Sequence, residues 1–480
     1  MKTIGNAGST ARKLKAVASG ALPNGQPVVV NADGTVSVVS ETSFSESTGS
    51  PTVFEGAASN DISTAFDSSS NKIVIAYRDE GNSDYGTAIV GTVSGTAISF
   101  GTAVVFEAAS IASTATTFDT ASNKVVIAYR DQGNSSRGTA IVGTVSGTSI
   151  SFGSATVYET NTVSEQAITF DTSSNKIVIA YKQGGSNSGR AIVGTVSGTS
   201  ISFGSSAQFN ASSADFTSAS FDTASNKVVI SYKDDGNSSY GTSIVGTVSG
   251  TSISFGTKVV FESASTRYTS TVFDSANGKT VVAYADQGNS FHGTAVVGTV
   301  SGTSISFGSP VVFEAASVFS LSATYDVAAG KVTVAYQDDG NGQDGTFISG
   351  TVSGTSISFG TAAVFETDAT TKISSTFDSS SNKVVVAYAA SSNGTSVVHQ
   401  NARSVTNLTS ENYIGLASNG YPDTAGATID VQGAINDRQS GLTAGQSYYV
   451  QTDGTLGTTP ADPSVFAGTA ISATKMIVKG

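Results

Sequence analysis

The sequence contains a long internal repeat, and this repeat limits the folds open to the chain more than any other feature. An aromatic residue followed by Asp recurs seven times, at intervals of 52, 52, 51, 52, 52 and 52 residues. Its aromatic members are Phe66, Phe118, Phe170, Phe221, Phe273, Tyr325 and Phe377. A fixed period of roughly 50 residues is typical of propellers, solenoids and other arrays of stacked supersecondary units.

Each repeat is predicted to contain four β-strands. In the second repeat the first strand ends at Phe118, and the others cover Lys124–Tyr129, Thr139–Val145 and Ser149–Glu159. Lys124–Tyr129 is almost entirely apolar, which favours a strand covered on both faces. Ser149–Glu159 alternates between apolar and polar residues, which favours a strand with one wetter face.

Proline marks the fourth strand as the outer strand of each sheet. Pro51 and Pro310 fall at equivalent positions in it, and proline lacks the N–H that a central strand needs. Seven successive four-stranded sheets with a repeat of about 52 residues predict an all-β fold, a seven-bladed β-propeller. The alternative is an open solenoid, which would need capping repeats, and the sequence offers none.

The seventh repeat lacks a fourth strand of its own. A segment resembling that strand, Thr42–Glu55, precedes the first repeat. Its pairing beside Thr395–Val405 would close the ring through an N-terminal strand and leave no exposed edges between blades. The predicted domains are therefore a propeller over residues 42–405 and a β attachment module made of residues 1–41 and 406–480.

The two flanks of the repeat array resemble each other. Residues 22–36 and 442–456 both read as a strand, an Asp-Gly turn and a second strand. Because closure of the ring would bring both flanks to the same blade, they are predicted to form one composite β module.

The carboxy-terminal flank also resembles a known kind of protein. This flank is similar to the carboxy-terminal module of tail-fibre-like structural proteins of marine tailed phages, especially cyanophages. The similarity lies in Asn407–Gly415, Gly441–Leu456 and Ser464–Lys475, and a weaker likeness covers residues 18–39. The resemblance implies a virion protein on the particle surface or tail, bound to other virion proteins through residues 1–41 and 406–480 and oligomeric in the particle. It brings no catalytic motif with it.

Composition excludes several classes of function. The 480 residues include no Cys and only two His, so disulfides and thiolate metal sites are excluded. No cofactor or metal is predicted; calcium at acidic loops is the alternative, with oxygen ligands from Asp79, Glu80 and Asn82 or from Asp338, Asp339 and Asn341. A formal net charge of −12 argues against nucleic acid as a partner. Residues 1–20 lack the apolar run of a secretory signal and no segment is apolar enough to insert into a membrane, so synthesis in the host cytoplasm is expected.

One rim of the predicted propeller varies between repeats, whereas the turns of the other rim are nearly constant. The variable loops, which join the second and third strands or neighbouring repeats, contribute aromatic and cationic residues: Tyr85, Arg137, Phe216, Tyr240, Arg267, Tyr268, Phe291, His292 and Phe319. Aromatic rings stack on sugar faces, so this rim is predicted to contact a host surface glycan or another virion protein. Loop side chains that merely pack on neighbouring blades are the alternative.

Catalysis is not predicted. A glycan-degrading enzyme would need two opposed carboxylates, and the candidates are Asp61, Glu165, Asp215 and Asp368, but their spacing selects no pair. The leading hypothesis is a non-enzymatic virion protein that contacts a glycan through its rim. The alternatives are a purely architectural fibre or decoration subunit and a glycan-degrading propeller enzyme.

Overall fold

The computed structural model describes residues 12–479, and they divide into two compact units. The terminal unit comprises residues 12–44 and 402–479, and the repeat unit comprises residues 45–401. The fold is all-β: the described residues form strands and five short 3-10 turns. No helix within them has the length and apolarity to cross a membrane. Of the segment considered above as a secretory signal, residues 1–11 lie outside the described part of the chain.

The strands follow the chain in three groups. The first four belong to the terminal unit: β1 (Lys13–Val17), β2 (Pro27–Val30), β3 (Val36–Val38) and β4 (Glu41–Phe44). The next thirty-one belong to the repeat unit: β5 (Ser47–Thr48), β6 (Thr52–Glu55), β7 (Ser59–Asp67), β8 (Lys72–Asp79), β9 (Tyr85–Ser94), β10 (Ala97–Phe100), β11 (Val104–Asp119), β12 (Lys124–Asp131), β13 (Arg137–Ser146), β14 (Ser149–Phe152), β15 (Thr156–Asp171), β16 (Lys176–Gln183), β17 (Gly189–Ser197), β18 (Ser200–Phe203), β19 (Ala207–Asn210), β20 (Ala214–Asp222), β21 (Lys227–Asp234), β22 (Tyr240–Ser249), β23 (Ser252–Phe255), β24 (Val259–Asp274), β25 (Lys279–Asp286), β26 (His292–Ser301), β27 (Ser304–Phe307), β28 (Val311–Asp326), β29 (Lys331–Asp338), β30 (Asp344–Ser353), β31 (Ser356–Phe359), β32 (Ala363–Glu366), β33 (Thr370–Asp378), β34 (Lys383–Ala390) and β35 (Asn393–Gln400). The last eight belong to the terminal unit: β36 (Arg403–Thr406), β37 (Tyr413–Ala417), β38 (Gly426–Asp430), β39 (Ile435–Asn436), β40 (Ser447–Val450), β41 (Leu456–Gly457), β42 (Val465–Ser472) and β43 (Lys475–Val478). The 3-10 turns cover Glu80–Asn82, Gln132–Asn134, Asp235–Asn237, Gln287–Asn289 and Asp339–Asn341.

The repeats follow one antiparallel pattern, which the second repeat illustrates. Strand β12 pairs with the end of β11 on one side and with β13 on the other, and β13 then pairs with both β14 and the start of β15. The predicted fourth strand, Ser149–Glu159, is therefore interrupted at residues 153–155: it consists of the short strand β14 and the start of the long strand β15. A Cβ at Gly153 would lie 1.9 Å from the carbonyl oxygen of Thr199, so the close approach of the next repeat requires glycine there.

The connections between repeats differ from the prediction. Four of them are not loops, because β11, β15, β24 and β28 are continuous strands of 16 residues that begin in one repeat and end as the first strand of the next. These shared strands join the repeats into two 13-stranded sheets, while β33, β34, β35, β5 and β6 form a five-stranded sheet.

Hydrogen bonds join the first strand of each repeat to the first strand of the next. In chain order the pairs are Ser63–Thr116, Ser113–Gln166, Glu165–Phe216, Ser218–Thr271, Ser270–Ala323, Ser322–Ser375 and Ser374–Thr64. The last pair links the seventh repeat to the first. At the outer edge, β5 and β6 pair with β35, as expected from the sequence. The series of contacts between repeats thus returns to its starting point.

The hydrophobic core lies between successive repeats. Tyr129 is fully buried, its ring centroid lies 5.2 Å from that of Phe106, and its hydroxyl donates a 2.9 Å hydrogen bond to Glu107 of the preceding outer strand. The same tyrosine–glutamate bond occurs at Tyr77–Glu55, Tyr181–Glu159, Tyr284–Glu262, Tyr336–Glu314 and Tyr388–Glu366. Each bond satisfies a hydroxyl that would be costly to bury alone.

The seventh repeat fills its core in a different way. His399 is 1% exposed, packs on Phe347 with ring centroids 4.1 Å apart, and shares a 3.0 Å hydrogen bond with Thr48. In the other six repeats the position of His399 is a glycine whose partner is a phenylalanine, as in Gly143 and Phe152. The imidazole therefore occupies space that a phenylalanine fills elsewhere.

Both chain ends form the terminal unit together, as predicted, and this unit contains two copies of one five-stranded sheet. The first sheet has the order β1-β38-β37-β2-β3, and the second has the order β39-β43-β42-β40-β41. Equivalent strands follow each other along the chain in the same order. Val29 and Leu416 of the first sheet share one buried cluster with Val450 and Met476 of the second.

The repeat unit is an insertion into one connection of the first copy. In the second copy, residues 458–464 join β41 to β42, whereas residues 39–412 separate the equivalent strands β3 and β37. Strands β4 and β36, which flank the insertion, pair with each other within the terminal unit. This pairing places the compact-unit boundaries at 44/45 and 401/402, a few residues inside the predicted 41/42 and 405/406.

Candidate functional site

Every repeat has a bulge in its first strand. In the fifth repeat the register with β25 shifts between Arg267 and Ser270, and the bulged residue Tyr268 has a φ of 52°. The seven equivalent residues all have φ between 44° and 56°: Asp61, Ser113, Glu165, Phe216, Tyr268, Ser320 and Lys372. None is glycine, so each holds a backbone conformation that costs a non-glycine residue about 1–3 kcal/mol, a cost concentrated at functional positions in proteins.

The bulges carry the variable residues of the repeats. We call the bulged residue and the residue before it the bulge pair; in chain order the pairs are Asn60–Asp61, Ala112–Ser113, Ser164–Glu165, Asp215–Phe216, Arg267–Tyr268, Phe319–Ser320 and Thr371–Lys372. No two pairs are the same, although the aromatic–Asp motif a few residues later is nearly constant. A β-bulge redirects side chains that would otherwise alternate across the sheet. The fold thus presents seven different pairs on one constant backbone.

Three successive bulge pairs contribute to one aromatic cluster. The ring centroids of Phe216 and Tyr268 are 5.1 Å apart, those of Tyr268 and Phe319 are 6.0 Å apart, and Phe291, from the turn before β26, lies 6.2 Å from Phe319. All four rings are half-buried. We call these four residues the aromatic band.

Two cations lie over the aromatic band. The guanidinium carbon of Arg267 is 5.3 Å from the centroid of Phe291, and Nζ of Lys233 is 5.7 Å from the centroid of Phe216. Such contacts stabilise a structure by about 0.5–1 kcal/mol where solvent has access. The band therefore combines flat apolar faces with positive charge.

A charged network lies beside Phe216. Asp215 accepts a 2.7 Å bond from Lys182 and is 3.3 Å from Lys233. Burial opposes ionisation of Asp215, but the bonds from Lys182 and Ser213 outweigh it and lower its pKa to about 2. Glu165 accepts the backbone N–H of Phe216 at 2.8 Å, and its pKa is raised, mainly by burial and further by the charge of Asp215.

The structure brings together some of the predicted site residues and not others. The structure brings together five of the predicted residues: the four rings of the aromatic band and the cation Arg267 above it. Phe291 lies in a turn, whereas Phe216, Arg267, Tyr268 and Phe319 lie within strands rather than in the predicted loops between repeats. The error arose because β24 and β28 run on from one repeat into the next without a loop, and because β20 already begins at Ala214.

Four other predicted residues occupy separate, equivalent positions. Tyr85, Arg137, Tyr240 and His292 are the first residues of β9, β13, β22 and β26, not the loop tips predicted. Within residues 12–479, no ring or cation–π contact joins them to the aromatic band. Each of the four belongs to a different repeat.

Sequence reasoning missed the part played by lysine. Lys182 and Lys233 are the penultimate residues of the equivalent strands β16 and β21. Both pair with Asp215, so this acid is part of an ion-pair network rather than a free carboxylate. The signal that would have found the site was the pair of variable positions at a constant distance before each aromatic–Asp motif.

Of the other carboxylates considered for catalysis, Asp61 lies 3.6 Å from Arg78 and Asp368 accepts a bond from Ser391. Across residues 12–479 no group of three or more potential metal ligands is present.

The seven repeats also line a cavity. It has a volume of about 540 Å³, and the aromatic residues of all seven aromatic–Asp motifs border it. A second cavity of about 340 Å³ is lined largely by Ser and Thr side chains that follow the bulges. Thr64 and Thr116 border both cavities.

Comparisons with known proteins identify similar folds and no sequence family. The chain matches no protein-family model and no curated protein. Among solved structures, the BP39L lectin from Burkholderia pseudomallei is similar with a TM-score of 0.53 and 11% sequence identity, over 73% of this chain and 98% of the lectin. A triple arginine-to-alanine mutant of AofleA from Arthrobotrys oligospora gives a TM-score of 0.40 and 9% identity, over 70% of this chain and 94% of that one. The likeness to BP39L concerns the fold: this all-β chain resembles a lectin in structure.

Proposed function

We propose that the chain is a non-enzymatic glycan-binding protein, that its repeat unit is a seven-bladed β-propeller, and that the aromatic band is its saccharide-binding surface. The observation that carries the proposal is the contact of four half-buried rings, Phe216, Tyr268, Phe319 and Phe291, contributed by three neighbouring repeats. Rings of this kind offer apolar faces to the C–H groups of a sugar, while the adjacent charged groups can bond its hydroxyls.

Two further observations support the proposal. The contacts between repeats run from the first to the seventh and back to the first, which suits a ring of blades. The likeness in fold to a protein named as a lectin suits a binding role without catalysis.

A binding experiment with matched variants tests the proposal. The full chain is screened against immobilised saccharides, and the affinity for the best ligand is measured by calorimetry for wild type, Phe319→Ala and Phe216→Ala. Loss of one stacking face should weaken binding by about ten-fold. The matched control is Tyr449→Ala, which disrupts a half-buried ring pair of similar spacing, 5.5 Å to Phe466, in the terminal unit. Equal affinities of all variants would contradict the proposal.

We also propose that the chain is a virion protein, present at the particle surface or tail. This proposal rests on the likeness of Asn407–Gly415, Gly441–Leu456 and Ser464–Lys475 to tail-fibre-like proteins of marine phages. Its partners would be other virion proteins, bound through the terminal unit. Antibody labelling of purified phage particles, with mass spectrometry of their proteins, tests it: absence of the chain from intact particles would contradict a virion role.

The two alternatives make different predictions in the same assays. A purely architectural subunit would be present in particles and bind no saccharide. A glycan-degrading enzyme would release oligosaccharides and lose this activity in Glu165→Gln. We favour binding over cleavage because Asp215, the carboxylate nearest in sequence to the aromatic band, is held by two lysines.

A further inference from the structure

Arg267 differs from the other cations around the aromatic band in its partners. Lys182 is bound to Asp215, and Lys233 is bound to Asp215 and Asp235 at 3.3 and 3.1 Å. Arg78, at the corresponding end of β8 in the first repeat, is close to three carboxylates. Within residues 12–479, no ion pair includes Arg267.

The position of Arg267 is set by the fold. It is the first member of the bulge pair whose second member, Tyr268, belongs to the aromatic band, and it lies opposite Ala285 in the strand ladder. Because the neighbouring residue is alanine, no side chain there competes for the guanidinium, which lies over the ring of Phe291. Stacking holds the group in one orientation, so less conformational entropy is lost when it binds.

We propose that Arg267 binds the carboxylate of an acidic saccharide, so that the aromatic band selects uronic-acid-containing glycans over neutral ones. This inference rests on the proposed function and names the ligand class. A guanidinium presents parallel N–H donors that match the two oxygens of a carboxylate. Arg267 is half-buried with its guanidinium over Phe291, where the local dielectric is lower than in water and charge–charge attraction is stronger.

The negative net charge of the chain opposes the binding of an acidic glycan, so a preference for such a glycan must come from a local cation. The chain has a formal net charge of −12, so the long-range field repels an acidic polymer. A preference for an acidic ligand therefore requires a local cation that is not already neutralised. The bound lysines cannot supply it without breaking their ion pairs, whereas Arg267 can.

The experiment compares two soluble probes of equal length, a hexasaccharide of uronic acid from alginate and the neutral laminarihexaose, on the full chain at 50 mM and 500 mM salt. We expect wild type to bind the acidic probe about ten-fold more tightly at low salt, and this ratio to fall at high salt. Arg267→Gln should lose the preference, because its affinity for the acidic probe falls about ten-fold more than its affinity for the neutral probe. Arg267→Lys, which retains the charge without the planar fork, should keep only part of the preference.

The matched control is Arg403→Gln. Arg403 also stacks on a ring, with its guanidinium carbon 4.6 Å from the centroid of Phe44, but in the terminal unit. This variant changes the net charge equally and should keep the full preference. Melting curves of all variants establish that they are folded.

The outcomes separate this inference from the proposed function. Equal affinity of wild type for both probes, or an equal loss for both probes in Arg267→Gln, would overturn the role of Arg267 and leave the aromatic band as a general saccharide surface. A preference for a sulfated carrageenan hexasaccharide over the uronic acid probe would overturn the assignment to carboxylates. If Phe319→Ala alters binding to neither probe, the proposed function fails as well.

Discussion

Thr52 and Ser396 are register partners on β6 and β35, although 344 positions separate them in the sequence. The chain has no cysteine, so a disulfide engineered between them would be its only one. The equivalent partners in the second repeat are Ala140 and Thr156, only 16 positions apart. In both pairs one residue is fully buried and the other half-buried.

We expect Thr52→Cys with Ser396→Cys to stabilise the oxidised protein by about 5 kcal/mol, and Ala140→Cys with Thr156→Cys by about 3 kcal/mol, because the longer closed loop removes more entropy from the unfolded chain. Denaturant unfolding of the oxidised and reduced forms measures both. No difference between the two pairs would mean that β6 and β35 also stay together in the unfolded chain.

A second prediction concerns His399. Burial lowers its pKa, partly offset by Glu46, Asn401 and Asp326, while Lys331 lowers it further. The unfolded chain therefore takes up this proton first as the pH falls, so stability is complete above about pH 6.5 and is lost below it. In His399→Phe, which keeps the ring against Phe347, the melting temperature should fall less between pH 7.5 and 5.

The control for this prediction is His292→Gln, which removes the only other histidine of the chain from its half-buried position at the start of β26. It should retain the wild-type pH profile. Identical profiles for wild type and His399→Phe would show that His399 does not set the acid response.

A third prediction concerns Glu107, whose ionisation lowers stability as the pH rises, whereas His399 lowers it as the pH falls. Burial raises the pKa of Glu107, and the charge of Asp131 adds to this effect. The folded chain holds that proton more tightly than the unfolded chain, so ionisation of Glu107 costs stability as the pH rises through its folded pKa. Glu107→Gln can still accept the bond from Tyr129 and should raise the melting temperature at pH 7, with the gain vanishing near pH 4.

The third repeat supplies the matched control. There Gln183 replaces the aspartate and donates a 2.7 Å bond to Glu159. Burial opposes ionisation of Glu159, but bonds from Asn161 and Gln183 outweigh it and its pKa is lowered. Glu159→Gln should therefore lower the melting temperature at pH 7. Shifts of the same sign in both variants would contradict the assignment.

The strands and their closing pair could be predicted from the sequence because each has a local signal. Aromatic residues recur with the spacing of the repeats, and Thr42–Glu55 reads as a fourth strand without a repeat. The partners of this segment, β35 and β36, could also be predicted, because only the seventh repeat lacks a fourth strand.

The aromatic band was predicted only in part. Phe216, Tyr268 and Phe319 stand out as aromatic residues at variable positions, but their contact depends on a bulge, and a bulge changes which face a side chain occupies without changing the residue types around it. The ion pairs of Asp215 depend on side-chain reach across strands. The bulge pairs recur at a constant distance before the aromatic–Asp motif, but the side-chain contacts of these residues leave no periodic trace in the sequence.

The duplication in the terminal unit was partly hidden for a different reason. Residues 22–36 and 442–456 are alike because each contains an Asp-Gly turn of demanding geometry. The remaining strands of the two sheets correspond in hydrogen-bond order, but they share little local signal beyond Gly415 and Gly468, which have φ of 148° and 159° at equivalent register shifts.

A fourth prediction follows from this duplication. Phe44 and Arg403 are register partners on β4 and β36, so replacing residues 45–402 by Asn-Gly would give a two-residue hairpin between them. We expect the resulting terminal unit to fold alone and melt cooperatively, as measured by circular dichroism and calorimetry.

Two glycine variants of this shortened chain serve as controls. Gly415 has a φ of 148°, and a Cβ there would lie 2.1 Å from the carbonyl oxygen of Asp430, so Gly415→Ala should abolish folding. Gly420 has open space around it, and Gly420→Ala should be tolerated. A shortened chain that is unfolded without either substitution would show that the terminal unit needs the repeats.

The paired strands β4 and β36 have a consequence for how such a chain can diversify. The polypeptide leaves and re-enters the duplicated sheets at two points about 5 Å apart, the distance between neighbours in a ladder. Any domain whose own ends are adjacent could therefore replace the repeat unit between β4 and β36. The repeat unit and the terminal unit can then evolve separately within one gene.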